Sequence, residues 1–151
     1  MESQKKFTPT FSFELFPPQT QQGVEKLQLT RKQLALFNPK FFSVTFGAGG
    51  STRERTLETV LEIQAEGHVV APHLSCIGST RQNIRAILEK YSQAGIRHIV
   101  ALRGDLPSGM AQAGEFRYAS ELVAFIRQEF GSSFHIEVAA YPEYHPQARS
   151  A

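Results

Sequence analysis

Five short runs rich in β-branched and aromatic residues recur along the chain at a nearly constant interval, and that interval restricts the folds open to it. The runs are FSFELF (11–16), FFSVTF (41–46), VVAPHLSC (69–76), HIVALRG (98–104) and HIEVAAYP (135–142), with starts 30, 28, 29 and 37 residues apart. The intervals carry apolar residues at helical spacing, as in Leu57, Val60 and Leu61, in Ile84, Ile87, Leu88 and Tyr91, and in Leu122, Phe125 and Ile126. Ser51 with Glu54, and Ser79 with Gln82, have the spacing of capping boxes. Gly67, Gly95 and Gly131 are placed to end helices, and Asn38-Pro39 closes the first. Strand and helix alternating every 30 residues or so means right-handed βα units and a parallel sheet.

Two architectures satisfy that alternation, an open doubly wound sheet and a (β/α)₈ barrel. The loop after the first strand lacks the G-x-G-x-x-G of a dinucleotide fold, and GAGGS after the second is too short and too late for it. Splitting each run by alternation favours the barrel. One face reads Phe11, Phe13, Leu15; Phe42, Val44, Phe46; Val70, Pro72, Leu74; Val100, Leu102; and Ile136, Val138, Ala140. The other reads Ser12, Glu14, Phe16; Ser43, Thr45; Ala71, His73, Ser75; Ile99, Ala101, Arg103; and Glu137, Ala139, Tyr141, turning polar toward the strand ends. In a barrel that second face points inward and its C-terminal rim builds the active site. Glu14, Thr45, His73, Arg103 with Asp105, and Tyr141 are then expected at one mouth, where neighbouring phenylalanines raise the Glu14 pKa toward that of a general acid.

Taken singly, each of these residues has a plainer reading: a solvated rim glutamate, a hydrogen-bonded core histidine, a structural ion pair, a packing tyrosine. Their coincidence at matching strand positions points to a site. Glu14, His73, Asp105 and His145 are types that hold divalent ions, but no H-x-H or H-E-x-x-H pair offers a preset chelate, so no metal is expected. A serine hydrolase lacks its G-x-S-x-G elbow.

The 151 residues suit one domain, and a composition 41% hydrophobic and 20% charged is that of a globular chain. With a net charge of +2 and scattered basic residues, no nucleic-acid partner is expected. No apolar run reaches membrane-spanning length and the polar start is no signal peptide, so neither a membrane nor export is expected and the cytoplasm is the default. The single Cys76 reads as a core residue.

At these same residues the sequence resembles the methylenetetrahydrofolate reductase family. The matching segments are FSFELFPPQT, FFSVTFGAGGSTRERT, APHLSCIGSTRQNI, IRHIVALRGDLP and VAAYPEYHPQA, in family order over nearly the whole chain. The resemblance implies a (β/α)₈ TIM-type barrel that binds FAD and reduces 5,10-methylenetetrahydrofolate to 5-methyltetrahydrofolate with NAD(P)H, by ping-pong hydride transfer. It implies Glu14 as the general acid that opens the folate's methylene bridge. Thr45, His73, Arg103, Gly104, Asp105, Tyr118, Ala119, Tyr141 and His145 fall where the family contacts FAD. Asp105, beside flavin and pterin, would disfavour anionic reduced flavin and so favour hydride donation. A homo-oligomer is expected of the complete barrel.

A whole (β/α)₈ barrel needs about 250 residues. The expectation is therefore a single catalytic domain of which residues 1–151 form the N-terminal part, five strands and four helices. The alternative is a non-catalytic half-barrel, or a module that pairs with a partner chain through open sheet edges.

Overall fold

A computed structural model of the chain describes residues 8–46, 50–105 and 114–140. The described elements run β1 (Phe13–Leu15), α1 (Gln21–Ala35), β2 (Phe42–Val44), α2 (Gly50–Ala65), β3 (Val70–Ser75), α3 (Arg81–Gln93), β4 (His98–Leu102), α4 (Ala119–Phe130) and β5 (His135–Val138). All strands are parallel and pair in sequence order, β1-β2-β3-β4-β5. Right-handed crossovers that always step the same way put every helix on one face of the sheet, which is the layout of a barrel wall and not of a doubly wound sheet. The α/β fold class read from the sequence is what the structure has, as part of a TIM-type barrel.

The helix-covered face forms one apolar cluster. Leu15, Phe42, Val44, Val70, Leu74, Ile99 and Ala101 of the strands pack with Val60, Ile63, Ile84, Leu88, Leu122, Phe125 and Ile126 of the helices. Burying a side chain of this size stabilises by roughly 1.5–3 kcal/mol, enough to set the register of each strand. Between the first two helices, the buried Arg31 guanidinium ties α1 to the end of α2 through both carboxylate oxygens of Glu66, at 3.2 and 2.6 Å.

β3 changes partner midway: Val70–Pro72 pair with β2, and His73–Ser75 with β4. Pro72, which has no N–H to give a ladder, sits at that change.

Three details differ from the sequence reading, the simplest being that Ser51, expected to cap its helix, lies inside α2, which begins at Gly50. His73 pairs with Val100, and Ser75 with Leu102, so Val100 and Leu102 share the uncovered face with His73, while Ile99 and Ala101 are fully buried on the helix side. The faces of β4 are therefore the reverse of those expected; both are apolar, as in most parallel strands, and alternation cannot tell them apart. At α3 the cap is Thr80, not Ser79. Thr80 is the extended residue (φ −90°, ψ 158°), and its hydroxyl oxygen accepts from the Asn83 amide at 3.1 Å. The stops hold: Gly67, Gly95 and Gly131 all have positive φ.

Candidate active site

The C-terminal end of β4 opens into a cleft of about 370 Å³. Its walls are Ala101 to Asp105 from β4 and the turn beyond it, Tyr118 and Ala119 where α4 begins, and Val138 and Ala139 at the end of β5. Five of the expected cofactor contacts, Arg103, Gly104, Asp105, Tyr118 and Ala119, thus line one space.

Backbone chemistry shapes this rim. Gly104 has φ +78°, and a Cβ there would lie 2.9 Å from the Ser75 Cβ, so only glycine turns the chain so close to β3. The returning loop is held by Gly114 (φ +72°), where a Cβ would meet the Ser79 carbonyl oxygen at 2.6 Å. Next to it the Glu115 amide donates to that carbonyl at 3.0 Å, and the Glu115 carboxylate accepts from the Arg81 amide at 2.7 Å. Phe116 is fully buried edge-on against Phe125, with the Arg81 guanidinium 5.2 Å from its ring centre. This clamp delivers Tyr118 to the start of α4. There Tyr118 makes no side-chain bond to the helix amides, since its hydroxyl is too far from its own backbone to reach them, and it remains half-exposed.

Beneath the cleft lies Cys76, fully buried as the sequence suggested. Its Sγ is 3.8 Å from the Arg103 carbonyl and 3.7 Å from the Tyr118 carbonyl, within reach of an S–H donor to either wall. Burial pushes the thiol's pKa up to about 11, so it stays protonated and serves as packing and donor.

The other expected residues lie elsewhere. Glu14 pairs with Ser43, which pairs with Ala71, all on the uncovered face. Its side chain is exposed, so the apolar surroundings expected from its phenylalanine neighbours are not around it; Phe16 itself is 72% exposed. His73, two strands away, is buried. Desolvation lowers its pKa, and the Glu14 charge partly opposes the shift, which places the two residues within electrostatic reach. Thr45 follows β2, with its amide donating to the Leu15 carbonyl at 2.9 Å and its own carbonyl accepting from the Thr56 hydroxyl at 3.0 Å. Tyr141 and His145 lie outside the described residues.

Comparison with known proteins decides the family. The model of the family described as methylenetetrahydrofolate reductase matches residues 1–151. The chain belongs to the methylenetetrahydrofolate reductase family. It is 45% identical over 141 residues to the 5,10-methylenetetrahydrofolate reductase of Salmonella typhimurium, and equally so to that of Escherichia coli; each match covers 93% of this chain and 46% of the relative. With the Arabidopsis thaliana protein named methylenetetrahydrofolate reductase (NADH) 1 it is 41% identical over 146 residues, covering 93% of this chain and 25% of that one. The chain spans about half the length of these bacterial relatives and a quarter of the plant one, so what it shares with the family is this wall of the barrel and its rim.

One side-chain cluster escaped the sequence reading. His98, His135 and Glu137 meet on the uncovered face at the other end of β4, with Glu137 Oε1 3.2 Å from His98 Nδ1 and 3.5 Å from His135 Nε2. The available signal was His-x-Glu within a strand, which puts both side chains on one face.

Proposed function

We propose that the chain supplies the flavin-binding and proton-donating part of an oxidoreductase that converts 5,10-methylenetetrahydrofolate to 5-methyltetrahydrofolate at the expense of NAD(P)H. The observation that carries this reading is the cleft at the end of β4, where an arginine, an exposed aspartate, a close-turning glycine and an uncapped helix start come together. Those groups suit FAD. Arg103 and the N-terminus of α4 favour the diphosphate's negative charge, and Gly104 lets backbone approach a flat ring system. Once bound, FAD would supply a hydride relay between nicotinamide and folate.

The chain's own residues then have separate tasks. Asp105 places a carboxylate where negative charge on the cofactor is disfavoured. His73, kept neutral by burial, offers a hydrogen bond, with Thr45, Tyr118 and Ala119 as further contacts and Tyr141 and His145 completing the set. Glu14 gives the proton that opens the methylene bridge, from an exposed position to which folate has access. Naming of the Arabidopsis thaliana relative for NADH supports a nicotinamide as reductant.

In a polypeptide of the relatives' full length, Glu14→Gln should leave FAD bound and reducible by nicotinamide while folate reduction drops about 10²- to 10⁴-fold. Wild-type folate turnover in that variant would remove Glu14 from the reaction. A second reading, a module completed by a partner chain, is favoured by the two edges of the described sheet, where Phe16 and Val138 are exposed. Size-exclusion chromatography of the 151-residue chain separates the two: a yellow, active monomer would rule out the second.

A further inference from the structure

The uncovered face carries a second constellation, at the opposite end of β4 from the cleft. His98 and His135 are the first residues of β4 and β5 and are paired directly across the ladder; Glu137, two residues on, points to the same side. Their donor atoms all lie within 4.8 Å of one another. Both imidazoles converge on one oxygen, Glu137 Oε1, at 3.2 and 3.5 Å, with ring centres 4.9 Å apart. The other oxygen, Oε2, is buried without a hydrogen-bond partner.

We propose that His98, His135 and Glu137 bind one divalent transition-metal ion. Hydrogen bonding accounts for Oε1 but leaves Oε2 desolvated and unpaired, which is costly for a charged group. A cation between the three side chains, bound at Oε1, neutralises the charge of that partly desolvated carboxylate. Two of the three donor separations, 3.2 and 3.5 Å, match the roughly 3.3–3.6 Å at which an ion with bonds of about 2.0–2.2 Å in tetrahedral geometry holds its donors, and the third stays within 4.8 Å. Two imidazoles and a carboxylate, with no thiolate, select zinc, cobalt(II) or nickel over calcium and magnesium. His135 is 63% exposed, so the ion has a path in and water can complete its coordination. Phe41 is stacked beside the His98 ring, with centroids 6.4 Å apart. Bound metal joins β4 to β5, the pair at one edge of the described sheet, and so stabilises that edge by mass action.

The test is titration of the metal-free chain with Zn²⁺ by calorimetry and with Co²⁺ by visible absorption. One ion per chain is expected, with a four-coordinate Co²⁺ spectrum lacking a thiolate band and a rise in melting temperature that saturates at one equivalent. Changing groups merely next to a metal's ligands costs about 10- to 100-fold in affinity, so Glu137→Gln and His135→Asn, which remove ligands, should each lose at least about tenfold. His68→Asn should lose nothing. Should a variant fail to fold, imidazole resonances of the wild-type chain decide, because Zn²⁺ must perturb two histidines together. No stoichiometric binding by the wild-type chain overturns the proposal, as does unchanged affinity in folded Glu137→Gln and His135→Asn.

Discussion

The third and fourth βα units begin alike and end differently. β3 leads into α3 through a closed junction: His73 and Cys76 are buried, the Thr80 hydroxyl accepts from the Asn83 amide, and the Glu115 carboxylate takes the Arg81 amide. β4 leads into α4 through an open one, with Asp105 and Tyr118 exposed and no side-chain cap on the helix. Both junctions stand on the same rim, and the closed one braces the open one, since Glu115 belongs to the loop that delivers Tyr118. Side-chain capping is thus present at the closed junction and missing at Tyr118, beside the cleft that Arg103 lines.

The largest effect should come from Gly104→Ala. A left-handed non-glycine residue costs about 1–2 kcal/mol. Forcing a methyl to 2.9 Å from the Ser75 Cβ adds about 1–3 more. Urea unfolding should show a loss in the summed range, with FAD binding abolished. Gly67→Ala, where nothing stands within 4 Å, should cost only the conformational part. Equal losses at the two sites would mean that the rim has no special tightness.

Closing the open junction is the next intervention. Tyr118→Asp supplies both a cap and a negative charge at α4, so the chain should become slightly more stable while FAD affinity, followed by flavin fluorescence, falls about tenfold. Undiminished affinity would show that the helix start does not face the diphosphate. Opening the closed junction should do the reverse. Thr80→Ala is expected to cost about 1 kcal/mol in unfolding experiments without moving flavin affinity.

The smallest effect concerns His73. Its folded-state pKa lies below the ordinary 6.5, so over the interval beneath 6.5 the unfolded chain holds more protons than the folded one. Stability is therefore lost as pH falls through that value and levels off once folded His73 also titrates. His73→Gln should flatten this part of a stability-versus-pH profile, by at most one proton's slope. An unchanged slope would assign the pH dependence to other groups.

How far the sequence foretold these junctions depends on how local each feature is. Strand positions, helix stops and the buried Cys76 follow from periodicity and from glycine's freedom at positive φ, which neighbouring residues determine. The cap of α3 falls one residue after the expected Ser79 because Ser79 and Thr80 are both able to cap, and the choice rests on which takes extended backbone. The faces of β4 are the reverse of those expected because both are apolar within the strand, and Arg103, the polar residue that would mark one of them, lies one position beyond it. Glu14's exposure depends on what covers the sheet, which alternation does not report. The His98–His135–Glu137 cluster needs a ladder register linking residues 37 apart in sequence, and no local pattern carries that.

That ladder has a consequence for how the molecule is made. Every strand pairs only with its immediate predecessor and successor, and the widest gap bridged anywhere in the described sheet is those 37 residues. Parallel sheets ordinarily fold slowly because distant segments must meet first. Here each new strand, as it leaves the ribosome, finds its template already in place, so the wall can grow in the order of synthesis, one unit at a time.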